Sequence, residues 1–290
     1  MKGTGEAVAH GAASILNAFA TGKGAALSID LWTRARVTLR NGPGEISGFV
    51  ASDPRESSKL AVTVVQKVIE HYGYDQKLQG EVITSSNLPT AVGLKSSSAA
   101  ASAVALAAAS ALDQEPNDDI LVGIGVEASI GCGVSLTGAY DDSFASYHGG
   151  AVLTDNDRRK VERMLKVPQD IRIIALVPPR QTLTGSLDRD RFAPIRRISE
   201  LAYLEASNGH LWDALTLNGL AVSSVLGEDA RPALSAIQSG ALGAGLSGKG
   251  PAIVAVVEEE TSKRVRQAFE KFDGRIIETG PNFSRARVET

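Results

Sequence analysis

Leu88-Pro89-Thr90-Ala91-Val92-Gly93-Leu94-Lys95-Ser96-Ser97-Ser98-Ala99-Ala100-Ala101 interrupts an extended stretch, Gly80 to Ser86, and opens an alanine-rich helix predicted over about Ser97 to Leu112. A glycine turn followed by serines at a helix start makes an anion site. The first N–H groups of the helix have no partner within it, and the helix dipole adds partial positive charge there. The hydroxyls can cap the helix or ligate a cation carried by a phosphate. A plain serine cap on a core helix accounts for the run equally well, so the choice rests on what else the chain carries.

At 290 residues two domains are expected. We place the division at 160, with an N-terminal domain over 1–160 and a C-terminal domain over 161–290, because the pattern restarts near Val167-Pro168. Hydrophobic residues at 43% and charged residues at 22% are ordinary for a globular chain. A net charge of −3 argues against a nucleic-acid partner, though not against a small phosphorylated ligand. Cys132 stands alone, which excludes an intrachain disulfide, and His10, His71, His148 and His210 have no metal-ligand spacing. No apolar stretch is long enough for a membrane span, and the start lacks the pattern of a signal peptide, so a cytoplasmic protein is expected. The oligomeric state is left open.

Strands are predicted over Ala26–Arg40, Ile46–Ala51, Glu81–Ser85, Gly149–Thr154 and Val161–Val167, then Ile171–Val177, Ala252–Val257 and Arg275–Glu278. Helices are predicted over Pro54–Tyr72, Asn117–Ile130, Ile195–Ser207, His210–Leu226, Arg231–Gln238 and Thr261–Phe272, and Pro178–Arg191 reads as a polar connection. The mixture implies α+β in both halves.

Two further clusters carry chemistry. Gly243-Ala244-Gly245-Leu246-Ser247-Gly248-Lys249-Gly250-Pro251 nearly matches both a P-loop and a dinucleotide fingerprint, but each needs a following helix, and an apolar strand follows here. The run is therefore a turn, or a glycine loop approaching a ligand or another backbone closely. Asp141-Asp142, set among small and aromatic residues and followed by Gly149-Gly150, can accept a proton from a hydroxyl, hold a cation or simply cap a helix. The small residues from Ala9 to Ala26 permit close approach to a ligand, and Lys23 within them can meet an anion.

These three clusters, in this order, resemble those of the GHMP kinase superfamily. Pro89–Ala100 resembles its phosphate loop, Asp141–Gly150 its catalytic-aspartate segment and Leu246–Val256 its Ser-Gly-x-Gly-Pro motif. Within that family, Gly93–Ala100, Ala9–Asp30 and Asp141–Tyr147 look like the archaeal-type shikimate kinases. The resemblance implies an α+β fold of two domains: a ribosomal protein S5 domain 2-like N-terminal domain and a ferredoxin-like C-terminal domain. It implies ATP and Mg2+, with phosphates held from Pro89 to Ala99 and by Ser247 and Gly248, and magnesium on Ser97 and Glu127. It implies Asp141 as the base that takes the proton of the shikimate 3-hydroxyl, a step towards chorismate and aromatic amino acids. Homoserine, mevalonate or pantoate are the alternative acceptors. Arg34, Arg180 and Arg285 are candidates for an acceptor carboxylate.

Overall fold

A computed structural model of the chain describes residues 2–74, 78–135, 137–180 and 188–289. The chain starts with a long hairpin, β1 (Lys2–Leu16) and β2 (Lys23–Asn41), followed by β3 (Ile46–Val50), helix α1 (Lys59–His71) and β4 (Leu78–Ser86). Helices α2 (Ser96–Ala111), α3 (Asp118–Gly131) and α4 (Tyr140–His148) come next, then β5 (Ala151–Asp155) and β6 (Lys160–Leu165). These strands share one sheet in the order β1-β2-β4-β3, with β5 pairing both β2 and β6.

The N-terminal strand was hidden by its own composition. Gly3 and Gly5 lie directly beneath α2, where a Cβ would meet the carbonyl oxygens of Ala111 at 1.9 Å and Ala107 at 2.1 Å. Close seating of α2 excludes the branched side chains that usually announce a strand. Helix α2 is itself apolar around most of its circumference, with Ala99, Ala101, Ala103, Ala105 and Ala107 to Ala109 all buried. That is the mark of a central helix, not an amphipathic surface one. Helix α1 is amphipathic and buries Ala61, Val64, Val65, Val68 and Ile69, as its spacing predicts. Asn117 caps α3 as expected, its Oδ1 accepting from Ile120 N at 3.3 Å.

The second sheet begins at β7 (Arg172–Val177). Helices α5 (Arg196–Asn208), α6 (Leu211–Leu226) and α7 (Arg231–Gln238) precede the hairpin β8 (Gly243–Leu246) and β9 (Ile253–Val257), then α8 (Glu259–Phe269) and β10 (Arg275–Thr279). The order β10-β7-β9-β8, all antiparallel, is the ferredoxin-like arrangement. Residues 181–187 of the predicted polar connection lie outside the described residues.

The strand pairing sets the domain limits in space. β6 carries the first sheet to Leu165, and the chain later returns to it: Pro281 bridges Ile29, and β11 (Arg287–Val288) pairs with β1. One hydrophobic cluster spans the two domains, joining Leu27, Val92 and Leu94 to Ile173, Val254 and Val256. No helix among the described residues is long and apolar enough to cross a membrane.

Candidate active site

The run from Leu88 to Ser98 is folded by alternation. Leu88, Val92 and Leu94 are buried in the core shared by both domains. Ala91, Gly93 and Lys95 take positive φ values of 56°, 94° and 63° and line a cavity of about 780 Å³. Helix α2 then starts at Ser96 with Lys95 as its cap residue and no side-chain cap bond. Its first internal bond of this turn runs from Ala99 N to Lys95 O at 3.1 Å. The N–H groups of the opening turn, with Ser96, Ser97 and Ser98 lining the cavity, are thus left to meet an anion.

The glycine hairpin after β8 holds this loop from the other domain. Ser247 Oγ donates to Gly93 O at 2.8 Å and accepts from Ser14 N at 3.0 Å. Ala252 N donates to Val92 O at 2.9 Å, while from β1 of the loop's own domain Ala12 N donates to Leu94 O at 3.2 Å. This is the close backbone approach the glycines foretell. Ser247 is fully buried and lies outside the cavity lining, so its hydroxyl braces the loop, while Gly248 and Lys249 face the cavity. Ser247→Ala removes a donor and an acceptor at once from buried backbone groups. It is expected to cost roughly 2–4 kcal/mol of stability, measurable by denaturant unfolding.

Asp141 and Asp142 occupy the first turn of α4, where the helix dipole favours negative charge. Both are buried and both line the cavity. Asn156 fixes Asp141 twice: its Nδ2 donates to Asp141 Oδ1 at 2.7 Å, and its Oδ1 accepts from Asp141 N at 3.2 Å. Thr154 Oγ1 donates to the same Asn156 oxygen at 2.7 Å, setting the amide's orientation. Gly24 leaves room for this carboxylate, since a Cβ there would stand 2.6 Å from Asp141 Oδ2. Burial, reinforced by the charge of Asp142, pushes the Asp141 carboxyl up to about 7. Asp142 instead takes Lys95 Nζ at 2.8 Å in a pair only 12% and 8% exposed, and its Oδ1 has no hydrogen-bond partner among the described residues.

The cavity therefore brings together Thr90, Ala91, Gly93, Lys95, Ser96, Ser97, Ser98, Asp141 and Gly248 of the expected site. Pro89, Val92, Leu94 and Ala99 lie beneath or beside the lining. Glu127 is not brought to it: its carboxylate is half exposed and engaged by Lys67 at 3.4 Å and Arg159 at 3.2 Å. Its spacing puts it on the solvent side of α3, whereas Ser129, two residues on, reaches the cavity. Arg34, Arg180 and Arg285 are likewise occupied, by Glu289, Glu228 and Asp118. Lys23 pairs with Asp155 at 2.9 Å and Glu162 at 2.5 Å. Sequence reasoning missed Asn156 and the far end of the cavity, Asp53, Arg55 and Glu56, where Thr90 Oγ1 donates to Glu56 Oε2 at 2.9 Å. Glu205, His210 and Asp213 approach one another at the α5–α6 turn, a grouping from across a turn that linear spacing hides, and none of the three lines the cavity.

A helix start free to hold phosphates, facing a buried carboxylate across one cavity, is the arrangement of a phosphotransferase. The sequence patterns described as GHMP kinases N terminal domain and GHMP kinases C terminal match residues 59–150 and 195–274, and the chain belongs to this family. It is 39% identical over 280 residues to a shikimate kinase of Methanosarcina acetivorans, covering 96% of this chain and 94% of that one. It is also 39% identical over 277 residues to a shikimate kinase of Thermococcus kodakarensis, with 94% and 98% covered. Among solved structures, a homoserine kinase from Cytophaga hutchinsonii superposes with a TM-score of 0.77 at 18% identity, over 100% of this chain and 98% of that one.

Proposed function

We propose that this chain transfers the γ-phosphoryl group of ATP to the 3-hydroxyl of shikimate, giving shikimate 3-phosphate and ADP on the route to chorismate and aromatic amino acids. The acceptor rests on one observation: curated relatives named shikimate kinase match almost end to end at 36–39% identity. The reaction class rests on the cavity, where Asp141 and the start of α2 face the same space.

In this reading the N–H groups from Gly93 to Ser98 hold the β- and γ-phosphates. Asp141, oriented by Asn156, aligns the acceptor hydroxyl and takes its proton as the acceptor oxygen bonds to phosphorus and the bond to the bridging β–γ oxygen breaks. A carboxyl held up to about 7 is a better proton acceptor than an ordinary aspartate, yet still ionised in half or more of the molecules above that pH. The donor set also suits Mg2+. Ser97 and the unpaired Oδ1 of Asp142 would hold it, in place of Glu127, and the ion would supply neutralisation of phosphate charge. Asp142 is paired with Lys95 and so differs in role from Asp141.

A coupled ADP-release assay with MgATP and shikimate, homoserine, mevalonate and pantoate tests the proposal. Turnover is expected with shikimate, with the 3-phosphate identified as product. Turnover with another acceptor instead would overturn the substrate and leave the phosphotransferase reading in place.

A further inference from the structure

The hairpin turn after β8 carries a cation whose place is fixed and whose charge is unanswered. Its backbone neighbours are pinned: Gly248 N donates to Ser14 Oγ at 3.1 Å, Gly248 O accepts from Asn17 Nδ2 at 3.1 Å, and Gly250 N donates to Ser247 O at 2.9 Å. The same three residues lie against the phosphate loop. A Cβ at Gly248 would stand 3.0 Å from Lys95 Nζ, and one at Gly93 would stand 3.4 Å from Gly250 N. Lys249, between these two glycines, has nowhere to place its backbone except beside the start of α2, and it lines the cavity.

Among the described residues three cations line that cavity: Arg55, Lys95 and Lys249. Arg55 pairs with Asp53 at 3.2 Å and Lys95 with Asp142 at 2.8 Å. Lys249 is half buried and has no ion pair or hydrogen bond among the described residues. Burial, with the charge of Lys95 adding to it, pushes its ammonium down to about 8. An anion entering beside it would remove that cost. Because its anchorage is to Gly93 and Lys95, the anion in reach is the one seated on the loop they form.

We propose that Lys249 binds the γ-phosphoryl group of the nucleotide and stabilises the charge on its non-bridging oxygens during transfer. This rests on the phosphotransferase reading above but not on the identity of the acceptor. A compact ammonium is suited to the task, since a transferring phosphoryl group presents oxygens that shift as bonds change.

The test compares the wild-type chain with Lys249→Met and Lys249→Arg. Calorimetric affinities are measured separately for MgATP, MgADP and shikimate. Lys249→Met is expected to weaken ATP about tenfold or more while ADP stays within about twofold, because only ATP carries the third phosphate. Turnover with the acceptor that supports it falls about ten- to hundredfold, and Lys249→Arg restores most of the ATP–ADP difference. Equal weakening of ATP and ADP, or none of either, would overturn the assignment. So would a loss confined to shikimate, which would move Lys249 to the acceptor carboxylate. The ATP–ADP comparison needs no acceptor, so an error in the choice of shikimate leaves it interpretable.

Discussion

Asp141→Asn is expected to lower kcat by about a thousandfold, within the range for loss of a positioned general base, and to leave ATP affinity within about twofold. The substitution keeps the shape of the side chain and the acceptor for Asn156 Nδ2, so the first turn of α4 and the phosphate loop stay in place. What it removes is a group able to take the hydroxyl proton. The same variant should be the more stable protein at pH 8, without nucleotide or metal. The sign follows from linkage. Asp141 keeps its proton in the folded chain up to about 7 but releases it near 3.8 when unfolded, so the unfolded state binds fewer protons between those values. Stability supplied by this site is therefore present below pH 4 and lost as pH rises towards 7. An uncharged Asn escapes the loss, for a gain of about 3–6 °C in Tm at pH 8 that vanishes near pH 4. Near-native turnover in this variant would remove Asp141 from the chemistry. An unchanged Tm difference across pH would show that its burial carries no charge cost.

Gly93→Ala is expected to cost about 3 kcal/mol or more and to weaken ATP at least tenfold. Two penalties coincide there. A φ of 94° lies in the left-handed region that a Cβ disfavours, and the new methyl would stand 2.1 Å from Ser247 O. The hairpin must retreat, which breaks the bond from Ser247 Oγ to Gly93 O and the one from Ala252 N to Val92 O. Gly73→Ala separates the two effects. Gly73 has a φ of 72° just past the end of α1 but nothing among the described residues within 4 Å of its Cβ position. It should therefore cost only about 1 kcal/mol. If chemical denaturation found the two variants equal, the approach of the two domains at Gly93 would carry no energy of its own.

What could be read in the chain depends on where each signal lives. The start of α2 was legible because glycine, serines and an alanine run mark a helix terminus locally, and the observed start at Ser96 is one residue from the predicted one. The rejection of a P-loop at Gly243–Lys249 also holds, since β9 follows and no helix does. β8 was not legible, because Gly219 approaches Gly245 so closely that the strand is reduced to Gly-Ala-Gly-Leu. Nor was Asn156, whose role comes from β5 delivering it to the first turn of α4, a contact between chain positions that no local pattern records. Glu127 failed for the opposite reason: its residue type fitted the chemistry, and only the rotation of α3 shows that it points away.

The return of the chain to its first sheet has a bearing on biosynthesis. Asn282 O accepts from Gly150 N at 2.7 Å, Asn282 N donates to Ser28 O at 2.9 Å, and Ala286 N donates to Tyr147 O at 2.6 Å. These bonds seat a segment made after the whole second sheet against β2 and the C-terminal end of α4, the helix whose first turn carries the carboxylates. A ribosome releasing the chain in order thus delivers an N-terminal half with an open seam along β2 and the end of α4. That half waits for residues 281–288 to emerge before the seam can close, so cotranslational assembly of this protein is sequential only up to its final step.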